Sequence, residues 1–192
     1  MTSILKFDPR IFDYDAYRKD LDSMLPLDSL GHFASEYSGP VVFISRKKVR
    51  DNVVRFKSAM PSIRPHFAVK ANPNKEVLKE LLKTGALFEV ASIAEIDAMM
   101  DLNVEMASVL YSNPVKSIPS IHHAAKAGLV WFSIDSPEEV RKIASIKREA
   151  KLYLRIEVSN QDALWPLTEK FGANSRDVGS IILAAKDLGM EI

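Results

Sequence analysis

Short apolar runs alternate along most of the chain with longer segments in which apolar residues recur at helical spacing. From about residue 60 the alternation repeats five times, and each helical segment ends in Gly, Asn or a charged cluster just before the next apolar run. The runs predict five strands, at 66–69, 87–91, 107–111, 129–134 and 152–156. Regular alternation of strands and helices indicates parallel strands joined by helical crossovers, which is an α/β fold.

The helix starts carry signals of their own. Ser92 and Glu95 have the spacing of a capping box, and Ser136 precedes a proline, which favours the first helical position. Ser175 is predicted to begin the last helix. Nearer the N-terminus, the β-branched run at 41–44 predicts a strand that leads into a helix ending at about residue 60.

Two architectures use repeated βα units, the open doubly wound sheet and the closed (β/α)8 barrel. No glycine motif of the type G-x-G-x-x-G follows any predicted strand, and the chain has only 7 glycines. Polar residues stand instead at or near the C-terminal ends of successive strands, where barrel enzymes keep their chemistry; these residues are Lys70, Glu89, Asn113, Asp135 and Arg155. The pattern therefore favours the barrel.

The predicted barrel is incomplete. A full barrel has eight strands in about 250 residues, whereas this chain has 192 residues, five complete predicted strands and, at 188–192, the end of a helix and the start of a sixth strand. We therefore expect residues 41–192 to form the N-terminal part of a truncated barrel domain, with residues 1–40 as a lead-in. The isolated fragment is expected to be inactive.

Composition narrows the class of protein. The chain is 47% hydrophobic and 27% charged, as globular domains are, and its net charge of +1 gives no overall attraction to nucleic acid or to an anionic membrane. It contains no cysteine, which excludes disulfides, thiolate metal sites and a cysteine nucleophile. The sequence has neither a signal peptide pattern nor an apolar stretch long enough for a membrane span, so we expect a cytoplasmic protein.

Lys70 follows directly on a predicted buried strand. A lysine at this position is predicted to be partly removed from water, which favours the neutral amine that attacks an aldehyde. The alternative is a structural lysine whose amine extends from the strand end to water. Glu89 and Arg155 also have a structural interpretation, as a solvated strand-end charge and its ion-pair partner.

Two adjacent histidines, His122 and His123, lie in a segment predicted as an outer helix. Neighbouring residues of a helix face different sides, so this pair lacks the i, i+4 spacing with which two helical histidines bind one metal ion. We expect surface histidines here and no metal site.

Six short segments occur in the same order and at similar spacing as the motifs of one enzyme family. The segments are FAVKAN (67–72), FEVASIAEI (88–96), YSNPVK (111–116), FSIDS (132–136), LRI (154–156) and KFG (170–172). With them the chain resembles the fold type III, or alanine-racemase-like, pyridoxal-phosphate-dependent decarboxylases, and within that group their ornithine/lysine/arginine branch.

The resemblance implies that the cofactor, pyridoxal 5'-phosphate, is attached to Lys70 as the catalytic lysine, and that a basic amino acid is decarboxylated to a polyamine precursor. It implies that Glu89, where the family usually has Asp, and Arg155 bind the cofactor. It also implies a homodimer in which Lys170 makes an ion pair with the partner subunit. The family has a C-terminal β-domain, and its residues for the cofactor's phosphate and pyridine nitrogen come later in the sequence.

Other functions share part of this pattern. Fold type III racemases and cofactor-carrier proteins have the lysine motif too, and a non-enzymatic regulatory homologue is a further alternative. The segments at 113–114 and 170–172 favour the decarboxylase branch over the first two. The presence of Lys70, Glu89 and Arg155 counts against a non-enzymatic protein.

Overall fold

The computed structural model describes residues 42–158 and 171–192, and before them only Gly31, Ser35, Glu36 and Gly39. The chain divides into two compact units, Met1–Ser45 and Arg46–Ile192. In the first unit, residues 42–45 belong to neither a helix nor a strand. The strand predicted at 41–44 is therefore wrong for 42–44, while Val41 lies outside the described residues. Residues 42–44 are not part of the sheet that the described strands form.

The second unit alternates helices and strands from end to end. Its elements are α1 (Arg46–Ala59), β1 (His66–Ala68), α2 (Lys75–Lys83), β2 (Leu87–Val90), α3 (Ile93–Asp101), β3 (Leu110–Tyr111), α4 (Ile118–Ala127), β4 (Trp131–Ile134), α5 (Pro137–Ala144), β5 (Lys151–Leu154) and α6 (Val178–Asp187). Short 3-10 helices occupy Val69–Ala71 and Met106–Ser108. All five predicted strands are confirmed, with ends that differ from the prediction by at most three residues.

The five strands form one parallel sheet in the order β1-β2-β3-β4-β5. In its register Ala68 lies opposite Glu89, Glu89 opposite Leu110, and Leu110 opposite Trp131. Strands that follow one another in space as they do in sequence are typical of a barrel, because a doubly wound sheet reverses its order part-way. The prediction of a partial (β/α)8 barrel is thus confirmed over five strands.

A sixth strand begins at the end of the described chain. Glu191 pairs in parallel with Lys151, and the N–H of Leu152 donates to the carbonyl of Glu191 at 2.9 Å. Lys151 also pairs with Trp131 of β4, so Glu191 extends the sheet on the other side of β5. The predicted start of a strand near residue 190 is confirmed by this pairing.

Strand residues of one set are buried and pack in a single core with the helices; the set consists of Phe88, Val90, Tyr111, Phe132, Ile134 and Leu152. Of the residues next to them, Glu89 and Tyr153 are half-buried, and Ser133 is buried. Because side chains in a strand point alternately to opposite faces, the second set shares the face that lines the inside of the barrel.

The observed N-terminal caps agree with the predicted helix starts in α3 and α5 but not in α6. The Ser92 hydroxyl accepts the N–H of Glu95 at 3.3 Å and donates to the Glu95 carboxylate at 2.8 Å, which confirms the capping box. The Ser136 hydroxyl caps α5 by accepting the N–H of Glu139 at 3.3 Å. The prediction for Ser175 is wrong, because the Asn174 side chain accepts the N–H of Arg176 and holds a turn there, so that α6 begins only at residue 178.

Candidate functional site

Lys70 lies immediately after β1, in the 3-10 helix Val69–Ala71, which Asn72 closes by donating its N–H to the Val69 carbonyl at 3.1 Å. The Lys70 side chain is exposed, so the prediction of a partly desolvated amine is wrong. The strand ends at Ala68, and the extra turn carries Lys70 beyond the sheet. Within the described residues its amine makes no hydrogen bond or ion pair, which leaves a primary amine accessible to a ligand.

The residues after Lys70 fix the turn and start the next helix. The Asn72 side chain accepts the N–H of Asn74 at 3.1 Å. The Asn74 side chain in turn accepts the N–H groups of Glu76 and Val77, at 3.0 and 3.4 Å, and so caps α2. The asparagines of the FAVKAN segment and its surroundings therefore hold the chain in place behind the lysine.

Glu89 lies on β2, opposite Ala68 of β1. Its carboxylate accepts a hydrogen bond from the Ser112 hydroxyl at 2.8 Å, and the Tyr153 hydroxyl lies 2.9 Å from the Ser112 oxygen. Sequence reasoning missed Ser112 and Tyr153. The signal was the strand period of two, since Tyr153 comes two residues before Arg155 and therefore shares its face.

Tyr153 is half-buried and Ser133 is buried. Burial raises the pKa of the Tyr153 hydroxyl, and the negative charge of Glu89 adds to that shift. Ser133 lies opposite Tyr153 in the register of β4 and β5. Its hydroxyl is buried and has no hydrogen-bond partner among the described residues.

Arg155 follows β5, and its side chain is exposed. Its guanidinium carbon lies 5.4 Å from the centre of the Phe171 ring, a cation–π contact. No ion pair joins it to Glu89 in the part of the chain that the structure describes, so the purely structural pairing of these two residues is not supported. The Arg155 guanidinium makes no hydrogen bond to another described residue, which leaves its donors for an anionic group.

Asp135, at the end of β4, holds the segment that returns to the barrel after residue 170. Its carboxylate accepts the N–H of Gly172 at 3.2 Å, and Ile156 pairs in parallel with Ala173. Gly172 has a φ of 117°, and a Cβ there would lie 2.7 Å from the backbone nitrogen of Glu157. Only glycine fits this close approach. Lys170, the predicted interface residue, lies outside the described residues.

The loop between β3 and α4 is held by a buried lysine. The Lys116 amine donates to the carbonyls of Asn113, Pro114 and Ser133, at 2.9, 3.2 and 2.6 Å, and lies 3.0 Å from the Glu139 carboxylate. Burial lowers the pKa of Lys116, and the charge of Glu139 opposes that shift. The YSNPVK segment thus has an architectural role that the sequence did not reveal.

The histidines lie where the sequence predicted them, on the outer helix α4. His122 is exposed, and His123 Nε2 lies 2.7 Å from the carboxylate of Asp97 on α3. The described segments contain no group of three or more His, Cys, Asp or Glu side chains that could hold a metal ion. Nor does any described helix combine the length and apolar character needed to cross a bilayer.

Together, the strand ends present an accessible amine, a carboxylate held by hydroxyl groups and an exposed guanidinium. An amine attacks an aldehyde, and a guanidinium binds carboxylate or phosphate groups. The amine and the guanidinium therefore fit a cofactor that carries an aldehyde and a phosphate.

A family model described as "Pyridoxal-dependent decarboxylase, pyridoxal binding domain" matches residues 46–192. The chain belongs to this family. The predicted resemblance is confirmed, and so is pyridoxal phosphate as the cofactor of the family. The match begins at the first residue of α1 and includes all five strands.

Individual relatives agree with the family. Ornithine decarboxylase of Schizosaccharomyces pombe is 30% identical over 167 residues, which are 87% of this chain and 37% of that protein. Antizyme inhibitor 2 of Xenopus laevis is 34% identical over 139 residues, 72% of this chain and 30% of that protein. The chain therefore spans about a third of the length of these relatives.

The structure is also similar to that of a solved decarboxylase. Lysine decarboxylase from Selenomonas ruminantium superposes with a TM-score of 0.80 at 32% identity, over 86% of this chain and 44% of that chain. Most of this chain thus corresponds to somewhat less than half of that decarboxylase chain.

Proposed function

We propose that the protein carrying this chain decarboxylates a basic amino acid of the ornithine or lysine type with pyridoxal 5'-phosphate and forms a polyamine precursor. The observation that carries the proposal is the accessible amine of Lys70 at the end of β1, next to the strand that carries Glu89, within a matched pyridoxal-binding domain. The names of the ornithine and lysine decarboxylase relatives support the choice of substrate class.

In this proposal Lys70 is the catalytic residue and the covalent attachment point, while Glu89 and Arg155 bind the cofactor. When bound, the cofactor supplies an electron-poor ring that accepts the electron pair left after loss of CO2. Glu89 contributes a negative charge that favours cationic groups bound beside it. Arg155 contributes a positive charge with several donors in one plane, which suits an anionic group of the cofactor or of a residue that contacts it.

The proposal extends to the organisation of the protein. Residues 1–40 are a lead-in and residues 41–192 the N-terminal part of the barrel domain; the family match, which begins at residue 46, supports this division. We also propose a cytoplasmic homodimer in which Lys170 lies at the interface. The resemblance of the KFG segment at 170–172 to a family motif supports the role of Lys170.

A non-enzymatic regulatory protein is the second candidate, because a relative over most of this chain is named antizyme inhibitor 2. Such a protein needs the fold but not the chemistry of Lys70. A fold type III racemase or a cofactor carrier would use Lys70 without releasing CO2. The decarboxylase, the regulatory protein and the pair formed by racemase and carrier therefore differ in two measurable properties, covalent uptake of the cofactor and release of CO2.

In the deciding experiment, pyridoxal phosphate is added to the purified protein that carries this chain, and the mixture is reduced with borohydride. Peptide mass spectrometry then locates the pyridoxyl group. Lys70→Ala is compared with Lys75→Ala, which removes another exposed lysine. Labelling at residue 70 in the wild type and in Lys75→Ala, with CO2 released from ornithine or lysine, supports the proposal. Absence of labelling favours the regulatory protein, and labelling with racemisation but no CO2 favours the racemase.

A further inference from the structure

A chain of hydroxyl groups links the inner face of β5 to the carboxylate on β2. Ser112 directly follows Tyr111, which lies opposite Phe132, and Ser133 lies opposite Tyr153, so the three hydroxyl-bearing residues follow one another from the end of β3 to β5. The Tyr153 hydroxyl lies 2.9 Å from that of Ser112, which is 41 residues away in sequence.

The hydrogen bonds that join Tyr153, Ser112 and Glu89 can be donated in only one direction. The Ser112 hydroxyl donates to Glu89 Oε2 at 2.8 Å, which uses its single proton. At the 2.9 Å contact between Ser112 and Tyr153, the Tyr153 hydroxyl must therefore be the donor. Hydrogen bonds connected in series polarise and strengthen one another, so Tyr153 reinforces the bond that Ser112 makes to the carboxylate.

The arrangement restrains a side chain that would otherwise be mobile. A glutamate has one more rotatable bond than an aspartate and loses more conformational freedom when it is held in place. All three members of the chain are half-buried, so water competes less for their hydrogen bonds. No other described residue donates to the Glu89 carboxylate, which leaves Oε1 for a ligand.

We propose that Ser112 and Tyr153 are positioning residues that hold the Glu89 carboxylate in one orientation toward the bound cofactor, an inference that rests on the proposed function. They act through Glu89 and need not touch the cofactor. Their role accounts for two polar side chains on an inner face that the Lys70, Glu89 and Arg155 assignments leave unexplained.

The test measures the dissociation constant of pyridoxal phosphate by absorbance titration, with the melting temperature of the apoprotein as a check on folding. The variants Ser112→Val and Ser112→Thr introduce side chains of nearly the same shape, but only threonine keeps a hydroxyl. We expect about tenfold weaker binding for Ser112→Val and for Tyr153→Phe, and a change of less than about twofold for Ser112→Thr. Tyr153→Phe removes one oxygen and serves if Ser112→Val fails to fold.

A double-mutant cycle separates positioning from general packing. In a Glu89→Ala background, Tyr153→Phe should change the dissociation constant by less than about twofold, because the residue on which it acts is gone. Wild-type affinity in Tyr153→Phe, or additive losses in the double mutant, would overturn the inference while leaving the proposed function intact. No uptake by the wild-type protein would overturn both.

Discussion

Replacing Lys116 by methionine tests whether the buried lysine holds the loop between β3 and α4. The change removes a cation from three carbonyl oxygens, those of Asn113, Pro114 and Ser133, and from the Glu139 carboxylate. Methionine has a similar length, so the change in packing is small. The expected cost is therefore mainly electrostatic.

The magnitude follows from the partners that remain. Removing one member of a buried ion pair costs about 3–5 kcal/mol. Glu139 keeps the Lys142 amine at 2.5 Å and the N–H of residue 116 at 3.0 Å, which offsets part of the loss. We therefore expect the free energy of unfolding to fall by about 3 kcal/mol. For a protein of this size, that corresponds to a melting temperature lower by about 6–12 °C.

The assay is urea denaturation followed by circular dichroism, with calorimetry for the melting temperature. Lys79→Met is the matched control, because Lys79 and its partner Glu76 have side chains that are 44% and 51% exposed, and such pairs contribute about 0–1 kcal/mol. If Lys116→Met cost less than about 1 kcal/mol, or no more than the control, the architectural role of Lys116 would be refuted.

Three further changes test separate features. Gly172→Ala should cost about 2–3 kcal/mol in urea denaturation because of its φ of 117° and the close backbone; Gly179→Ala, which meets nothing within 4 Å, should be neutral or stabilising, and equal effects would contradict this reasoning. Ser92→Ala should cost about 1 kcal/mol by loss of the α3 cap, and an unchanged urea midpoint would argue against the capping box. Glu89→Gln should lower the pKa of Tyr153, measured by ultraviolet titration against Tyr153→Phe, because it removes a charge that raises it; an unmoved titration would contradict this. Since that raised pKa means that the folded state holds the phenol proton more tightly than the unfolded state, stability should fall as the pH rises above about 10, and less steeply in Tyr153→Phe.

The number, direction and order of the strands follow from local sequence patterns. A change from helical to strand period, repeated five times, leaves parallel strands with helical crossovers as the consistent solution. The ends of the strands are less predictable, because pairing with neighbours determines them. The run at 107–111 shows this, since residues 106–108 form a 3-10 helix and only Leu110 and Tyr111 pair with other strands.

Some residues of the site could likewise be predicted from the local sequence, whereas others depend on residues distant in sequence. The positions of Lys70 and Glu89 at strand ends were predicted, because each follows from its own strand. Ser112 and Tyr153 were missed, because only the register of the whole sheet brings them together. The burial of Lys116 was missed as well, since no local pattern distinguishes a lysine that binds loop carbonyls from one in water.

The family motifs contain two kinds of residue. Asn72, Lys116 and Asp135 fix a turn, hold a loop and bind the backbone at residue 172, so any protein with this barrel has a use for them. The amine of Lys70 makes no such contact with the described residues. A motif match alone therefore supports the fold as much as the activity. Under the proposed function, the reaction of the Lys70 amine with the cofactor distinguishes an enzyme from a regulatory protein with the same barrel.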